Sequence, residues 1–209
     1  MVLEAFLKKG ENEMKKNNLN SKDLLLSFLY SPGISSKPNE AIVGRTKLTK
    51  MMFLFEKEIY IQFFKDSLQI KLPDFSPYYF GPFSKQLFED LAFFESIGMI
   101  ETQETNIPLS DVDKIENASV FDIESEESAG MSFEDEKEKF ELQYRLTECG
   151  ETYIKNEVWD NYSKKQQEVL KMFKAQINRI SLDSLLKYVY NKYPETTKNS
   201  IIINKYRNG

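Results

Sequence analysis

The sequence predicts a mainly α-helical fold carrying one small β-hairpin. Two observations carry this. Most of the chain repeats apolar residues at three- and four-residue steps behind Ser or Thr caps, which is helix periodicity. Two short segments instead look like strands: Met99-Ile100-Glu101-Thr102-Gln103, and Phe140 to Leu146, which alternates apolar and polar residues with period two.

The elements follow in order. Met1–Asn20 holds at most a short helix at Leu3–Phe6. Ser21 is a good N-cap for a helix with Leu24, Leu25, Phe28 and Leu29 on one face, ended by Ser31-Pro32-Gly33. Residues 31–40 are a loop by composition. Ile42 to Leu48 leads into the clearest helix, with Thr46 as cap. Its inward stripe is Leu48, Met51, Met52, Phe55, Ile59 and Phe63. Lys47, Lys50 and Lys57 fall largely on the other side. An aromatic segment, Phe75 to Ser84, carries a Gly81-Pro82 turn. Ser84 caps a helix over 84–97 with Leu87, Phe88, Leu91, Phe94 and Ile97 inward, and Gly98 suits its C′ position.

After the two strands, Thr147 restarts helix, with Tyr153, Ile154 and Val158 inward. Ser163 and Gln166 form a capping box for a helix that buries Val169, Leu170, Phe173 and Ile177. Ser181 caps a last helix with Leu182, Leu185, Leu186, Val189 and Tyr190 inward, closed by Pro194. The tail from Lys198 carries Ile201-Ile202-Ile203, a short strand or a docking segment. Helix, helix, turn, helix, strand, long connection, strand, helix is the winged-helix order. The expected architecture is a winged-helix-like core plus C-terminal helices. Residues 1–104 form its helical and recognition-helix part, 105–139 an acidic insertion, and 140–209 the second wing strand with the C-terminal helices.

Composition narrows the function classes. The 209 residues are 41% hydrophobic, with 16 Phe and 11 Tyr, enough for a sizeable core. The absence of a long apolar run and the single cysteine, Cys149, favour a cytoplasmic protein. Histidine is absent, which removes Ser-His-Asp and Cys-His catalysis and the commonest metal ligand. Asp23, Glu56, Glu58, Asp90 and Glu95 match no metal motif, so no catalytic residue, metal or cofactor is expected.

Charge is uneven. Residues 101–141 hold 14 acidic residues and 3 lysines, a net −11; the remainder, with 25 basic and 19 acidic residues, carries +6. The acidic stretch is either a solvated loop or a segment that covers a basic surface or recruits a basic partner. The recognition-helix position offers Lys85 and Gln86, then Glu89, Asp90 and Glu95, a poor face for the major groove, and its aromatic stripe Phe88, Phe93 and Phe94 reads as core rather than a stacking platform. Arg45, Lys47 and Lys50 are the one compact basic group near a helix start, either a solvated face or a phosphate contact.

Gly44-Arg45-Thr46-Lys47-Leu48-Thr49-Lys50, Tyr79-Phe80-Gly81-Pro82-Phe83-Ser84, Ile97-Gly98-Met99-Ile100 and Leu146-Thr147-Glu148-Cys149-Gly150 together resemble a family pattern. It is similar to bacterial and archaeal proteins of the Panacea and YwgA-like type, which include SocA-like antitoxins. Gly44, Tyr79, Gly81, Pro82, Ser84, Gly98, Thr147 and Gly150 would be its structural signature. The resemblance implies a helical, winged-helix-like domain without catalysis that pairs with a toxin or another neighbouring-gene product, or acts as an adaptor. The element order and the +6 charge keep a DNA-binding regulator open as the alternative. A homodimer through the helices of 163–193 is also allowed.

Overall fold

The computed structural model describes residues 18–108 and 140–207. The short helix expected at Leu3–Phe6 and residues 109–139 of the acidic stretch lie outside these. Among the described residues the chain is mostly helical with small sheets, and no helix is long and apolar enough to cross a membrane.

Strand β1 (Asn18–Leu19) leads into helix α1 (Ser21–Tyr30). Asn20, rather than Ser21, is the N-cap. Its side chain accepts from the amides of Lys22 and Asp23, and the Asp23 carboxylate accepts from the Asn20 amide. Ser21 turns inward and donates to Asp90 Oδ2 at 2.9 Å. Leu24, Leu25, Leu26, Phe28 and Leu29 are all buried. A helix this apolar can only be central.

Strand β2 (Ile42–Val43) occupies the lead into α2 (Arg45–Leu54), where two residues are too short a run to show a strand period. Gly44 occupies the N-cap at φ 89° with no side-chain cap, and Thr46, expected there, is a buried residue inside the helix. The helix continues as a π turn over Phe55–Tyr60 and ends in α3 (Ile61–Phe63). Strand β3 (Gln69–Ile70) pairs parallel with β1. Strands β4 (Ser76–Tyr78) and β5 (Gly81–Phe83) form a hairpin, with Pro77 opposite Pro82. Gly81 and Pro82 therefore lie in the second strand rather than forming the turn. Gly81 has φ 86°, and a Cβ there would sit 3.2 Å from the Tyr190 ring.

Helix α4 (Lys85–Ser96) is capped by Ser84, whose Oγ accepts from the Leu87 amide at 3.3 Å. It ends at Gly98, with the Met99 amide returning to Phe94 O at 2.9 Å. Leu87, Leu91 and Phe94 are buried as expected, whereas Ile97 is 49% exposed and Phe93 45%. Both lie on the outer side of the helix. Strands β6 (Ile100–Pro108) and β7 (Phe140–Leu146) pair antiparallel, Ile100 opposite Leu146 and Gln103 opposite Gln143. Strand β6 thus crosses the expected start of the insertion at 105. Strand β2 joins the far side of β7, giving the order β2-β7-β6.

Thr147 caps α5 (Glu148–Tyr153) by accepting from the Gly150 amide at 3.2 Å. A π turn over Ile154–Val158 and a 3-10 turn over Trp159–Asn161 follow. Ile154 and Val158 are buried, but Tyr153 is half out of the core. Helix α6 (Lys164–Arg179) has the expected Ser163/Gln166 capping box and buries Val169, Leu170, Phe173 and Ile177. Helix α7 (Leu182–Lys192) buries Leu185, Leu186, Val189 and Tyr190 behind the Ser181 cap. The tail is helical, not extended: α8 (Ile203–Arg207) buries Tyr206 against Tyr190, ring centres 5.1 Å apart. Ile201 stays exposed, while its amide donates to Tyr79 O at 3.0 Å.

The loop of residues 31–40 is fixed from both ends of one residue. Lys174 donates to Leu29 O, Ser31 O and Glu40 O at 2.9, 2.7 and 2.6 Å. The Glu40 carboxylate accepts from the amides of Ile34 and Ser35 and from Asn178 Nδ2 at 2.8, 2.5 and 3.0 Å. Burial opposes its ionisation, but the hydrogen bonds from Ser35, Asn178 and Ile34 win and hold it down to about 2, below an ordinary 4.5. A folded value below the unfolded one means that this carboxylate stabilises the fold above pH 4.5, and that the contribution is lost as pH falls towards 2. Glu40→Gln is therefore expected to be less stable than wild type near neutral pH. The gap should close between about pH 4.5 and 2 in thermal melts. A constant gap across that window would show that Glu40 does not carry the linkage.

Candidate functional site

Helix α4 with its C-cap presents an outward ridge at four-residue spacing: Lys85, Glu89, Phe93, Ile97. Lys85 and Glu89 pair with each other at 3.7 Å. Phe93 and Ile97 then leave an apolar step on the surface. Asp90, expected among the exposed acids, is instead buried (1% exposed) and accepts from Ser21 and from the Lys22 ammonium. Gln86 completes this network by donating to Ser21 Oγ at 2.9 Å. The network fixes α4 against α1 and stands Lys22 Nζ 5.5 Å from the Phe93 ring centre.

The expected basic group is not an outward cluster. Arg45 Nε donates to Tyr144 Oη at 3.2 Å, and its guanidinium lies 5.5 Å from the Phe88 ring centre. Lys47 Nζ donates to Ile180 O at 3.0 Å. Lys50 is fully buried and donates to Pro82 O at 3.1 Å, which joins α2 to the β4–β5 hairpin. These cations hold elements together. Of the residues expected to make contacts, Lys85 and Gln86 share α4 with the apolar step, while Arg45, Lys47 and Lys50 are tied into the packing of α2.

The signature residues have packing roles. The Gly44 amide donates to Leu142 O at 2.8 Å, binding the start of α2 to β7. The Tyr79 carbonyl accepts from Ile201 N and Ser200 Oγ. Thr147 Oγ1 donates to Gly98 O at 2.6 Å, and the Thr147 amide to Met99 O at 3.0 Å. The start of α5 therefore abuts the end of α4, beside Ile97.

A shallow open groove of about 540 Å³ runs along α5 and its π turn, lined by Glu148, Cys149, Thr152, Tyr153, Asn156 and Glu157. Its surroundings are negative. Burial, with the nearby carboxylates of Asp23 and Glu157, raises the Tyr153 phenol above 10. From Glu148 to Asn161 the chain carries Glu148, Glu151, Glu157 and Asp160 against Lys155 alone. Asp23 acts on the Tyr153 phenol and its neighbour Lys22 stands at the Phe93 ring, so the first turn of α1 borders both the groove and the Phe93–Ile97 step. Periodicity marks Tyr153 as inward and gives no sign of this groove.

A second polar cluster lies on the π turn of α2. Glu58 Oε1 accepts from Tyr188 Oη, Lys192 Nζ and Tyr193 Oη at 2.8, 3.0 and 2.9 Å. The Tyr188 hydroxyl, then Glu58, hold Lys192 well above its usual range, so it stays a cation. That is an electrostatic tie between the π turn and α7, not an acid–base pair. Among the described residues, no group of three or more His, Cys, Asp or Glu could hold a metal ion. Asp23, Glu56, Glu58, Asp90 and Glu95 do not converge: Asp90 serves Ser21 and Lys22, Glu58 serves α7, and Glu95 accepts from Thr102.

No family model, curated protein or solved structure matches the chain.

Proposed function

We propose that this chain is a non-enzymatic, winged-helix-like protein-interaction module, an antitoxin-like or adaptor protein that acts in the cytoplasm. The observation that carries the reading is the outer face of α4. Where a major-groove reader needs Arg, Lys, Asn or Gln, this helix offers an internally paired Lys85–Glu89 and two half-exposed apolar side chains, Phe93 and Ile97. The winged-helix part is supported by the order α1-β2-α2-α4-β6-β7, by α4 feeding directly into β6, and by the sheet order β2-β7-β6. The Panacea-like resemblance adds a partner class, a toxin or another neighbouring-gene product.

Burying a large apolar side chain contributes roughly 1.5–3 kcal/mol. A Phe93→Ser/Ile97→Ser double variant should therefore bind its partner on the order of 100-fold more weakly or worse, since each 1.4 kcal/mol is tenfold. Its circular dichroism should stay native, because both residues already face solvent. The test co-expresses the chain with its neighbouring-gene product and isolates the complex with and without the two substitutions. Duplex DNA is titrated in parallel at about 50 and 200 mM salt. A complex that survives both substitutions, together with steep salt-dependent DNA binding, would replace this reading with a DNA-binding regulator.

A further inference from the structure

We infer that the corner formed by the outer ridge of α4 and the groove of α5 receives a cationic amphipathic helix of the protein partner. This rests on the protein-binding reading above and adds the chemistry of what is bound.

Phe93 and Ile97 stand one helical turn apart, 45% and 49% exposed. A ridge at four-residue spacing is the shape that packs into the groove between side-chain rows of a facing helix. Tyr153, 39% exposed, supplies a further apolar surface with a polar tip. The charge lining the groove is acidic, with Lys155 the one cation between Glu148 and Asn161. Glu148 and Glu157 line the groove, and Asp23 and Glu157 act on the Tyr153 phenol. Lys22, which stands at the Phe93 ring, is paired with the buried Asp90. A facing helix would match this corner with an apolar i, i+4 stripe flanked by Lys or Arg. The stripe would cover Phe93 and Ile97, and the cations would meet Glu148 and Glu157. An acidic helix or a nucleic-acid backbone would meet like charge there.

The test uses the full chain and a fluorescently labelled 15-residue Leu/Lys amphipathic peptide, read by anisotropy, with a Leu/Glu peptide of the same pattern as comparator. The Leu/Lys peptide is expected to bind and the Leu/Glu peptide not. Phe93→Ser/Ile97→Ser should weaken binding by at least tenfold at any salt. Glu148→Gln/Glu157→Gln should weaken it about tenfold at low salt and much less at high salt, because surface charge is screened. Binding that neither variant alters would place the peptide elsewhere and overturn the inference. So would equal binding of the Leu/Glu peptide. Sedimentation showing a wild-type dimer that Phe93→Ser/Ile97→Ser dissociates would make a second copy the occupant, which also overturns it. None of these failures touches the co-expressed complex and its sensitivity to Phe93 and Ile97, so the broader reading is judged separately.

Discussion

Lys174→Met is expected to cost the fold about 2–4 kcal/mol, because a buried acceptor left without its donor costs roughly 1–3 kcal/mol. Lys174 is fully buried and makes three bonds, to Leu29 O, Ser31 O and Glu40 O. An ammonium has three donors, and here each has a carbonyl. Methionine keeps the length and apolar stem of lysine but donates nothing. The carbonyls at the end of α1 and on the loop of residues 31–40 would lose their donor, and each unsatisfied buried acceptor is costly. Burial pushes the amine down to about 7, opposed by the nearby Glu40 carboxylate. At about pH 6, below both this value and the ordinary 10.5, the lysine is protonated in the folded and the unfolded chain. Denaturant titration at that pH then reads the lost contacts alone. For a chain of this size the loss corresponds to roughly 10 °C in melting temperature. A loss under about 1 kcal/mol would mean that water replaces the ammonium at these carbonyls.

Lys174 also shows what a sequence hides. It lies four residues after Leu170 and three before Ile177, on the same buried face. Its spacing puts it inside; its identity argues for outside. The same conflict holds for Asp90, between Leu87 and Phe94. For Lys50 both spacing and identity argue for outside, but α2 is buried nearly all round, from Thr46 to Leu54. A charge is buried when a partner meets it, and the partners are distant in sequence: Pro82 for Lys50, Ser21 and Lys22 for Asp90. Periodicity located the helices and the caps at Ser84, Thr147, Ser163 and Ser181, because those depend on neighbours within a turn. Asn20 displaced Ser21 as a cap by making a reciprocal pair with Asp23, while Ser21 was drawn to Asp90.

The candidate surface was legible in half. The acidic tendency of α4 could be read from Glu89 and Glu95, but the apolar step could not. Phe93 and Ile97 carry the same residue types as the core, and only the rotation of α4 against α1 and β6 decides which way they point. That rotation is set by Asp90 and by the Glu95–Thr102 contact, both tertiary. The groove along α5 is further from the sequence still. It depends on how closely α5 lies against the junction between α4 and β6, and that closeness rests on one glycine.

Gly150→Ala is expected to destabilise the protein by about 2–3 kcal/mol, against the usual gain from replacing a helical glycine by alanine. Gly150 is buried in α5, where intrinsic preference alone would favour alanine by roughly 1 kcal/mol. A Cβ at this position would fall far inside contact with Met99 O, 3.1 Å from the carbonyl carbon and 3.3 Å from Leu146 Cβ. The first two obstacles are backbone, so no side-chain rotation relieves them. The Met99 carbonyl is also the acceptor of the Thr147 amide, so moving it breaks the bond that seats α5. Helix α5 must lift away, and Thr147 Oγ1 then loses Gly98 O. Gly98→Ala is the contrast. A Cβ there meets nothing within 4 Å, and only its φ of 69° is strained, for a cost nearer 1 kcal/mol. Both are measured by chemical denaturation. Because α5 carries Glu148 and Tyr153, Gly150→Ala should also weaken the Leu/Lys peptide under conditions where the protein remains folded, whereas Gly98→Ala should leave that affinity within about twofold, as expected for a change worth a few tenths of a kcal/mol. Equal stability of Gly150→Ala and wild type would show that α5 can stand off from the sheet, and the seating of the groove would then need another cause.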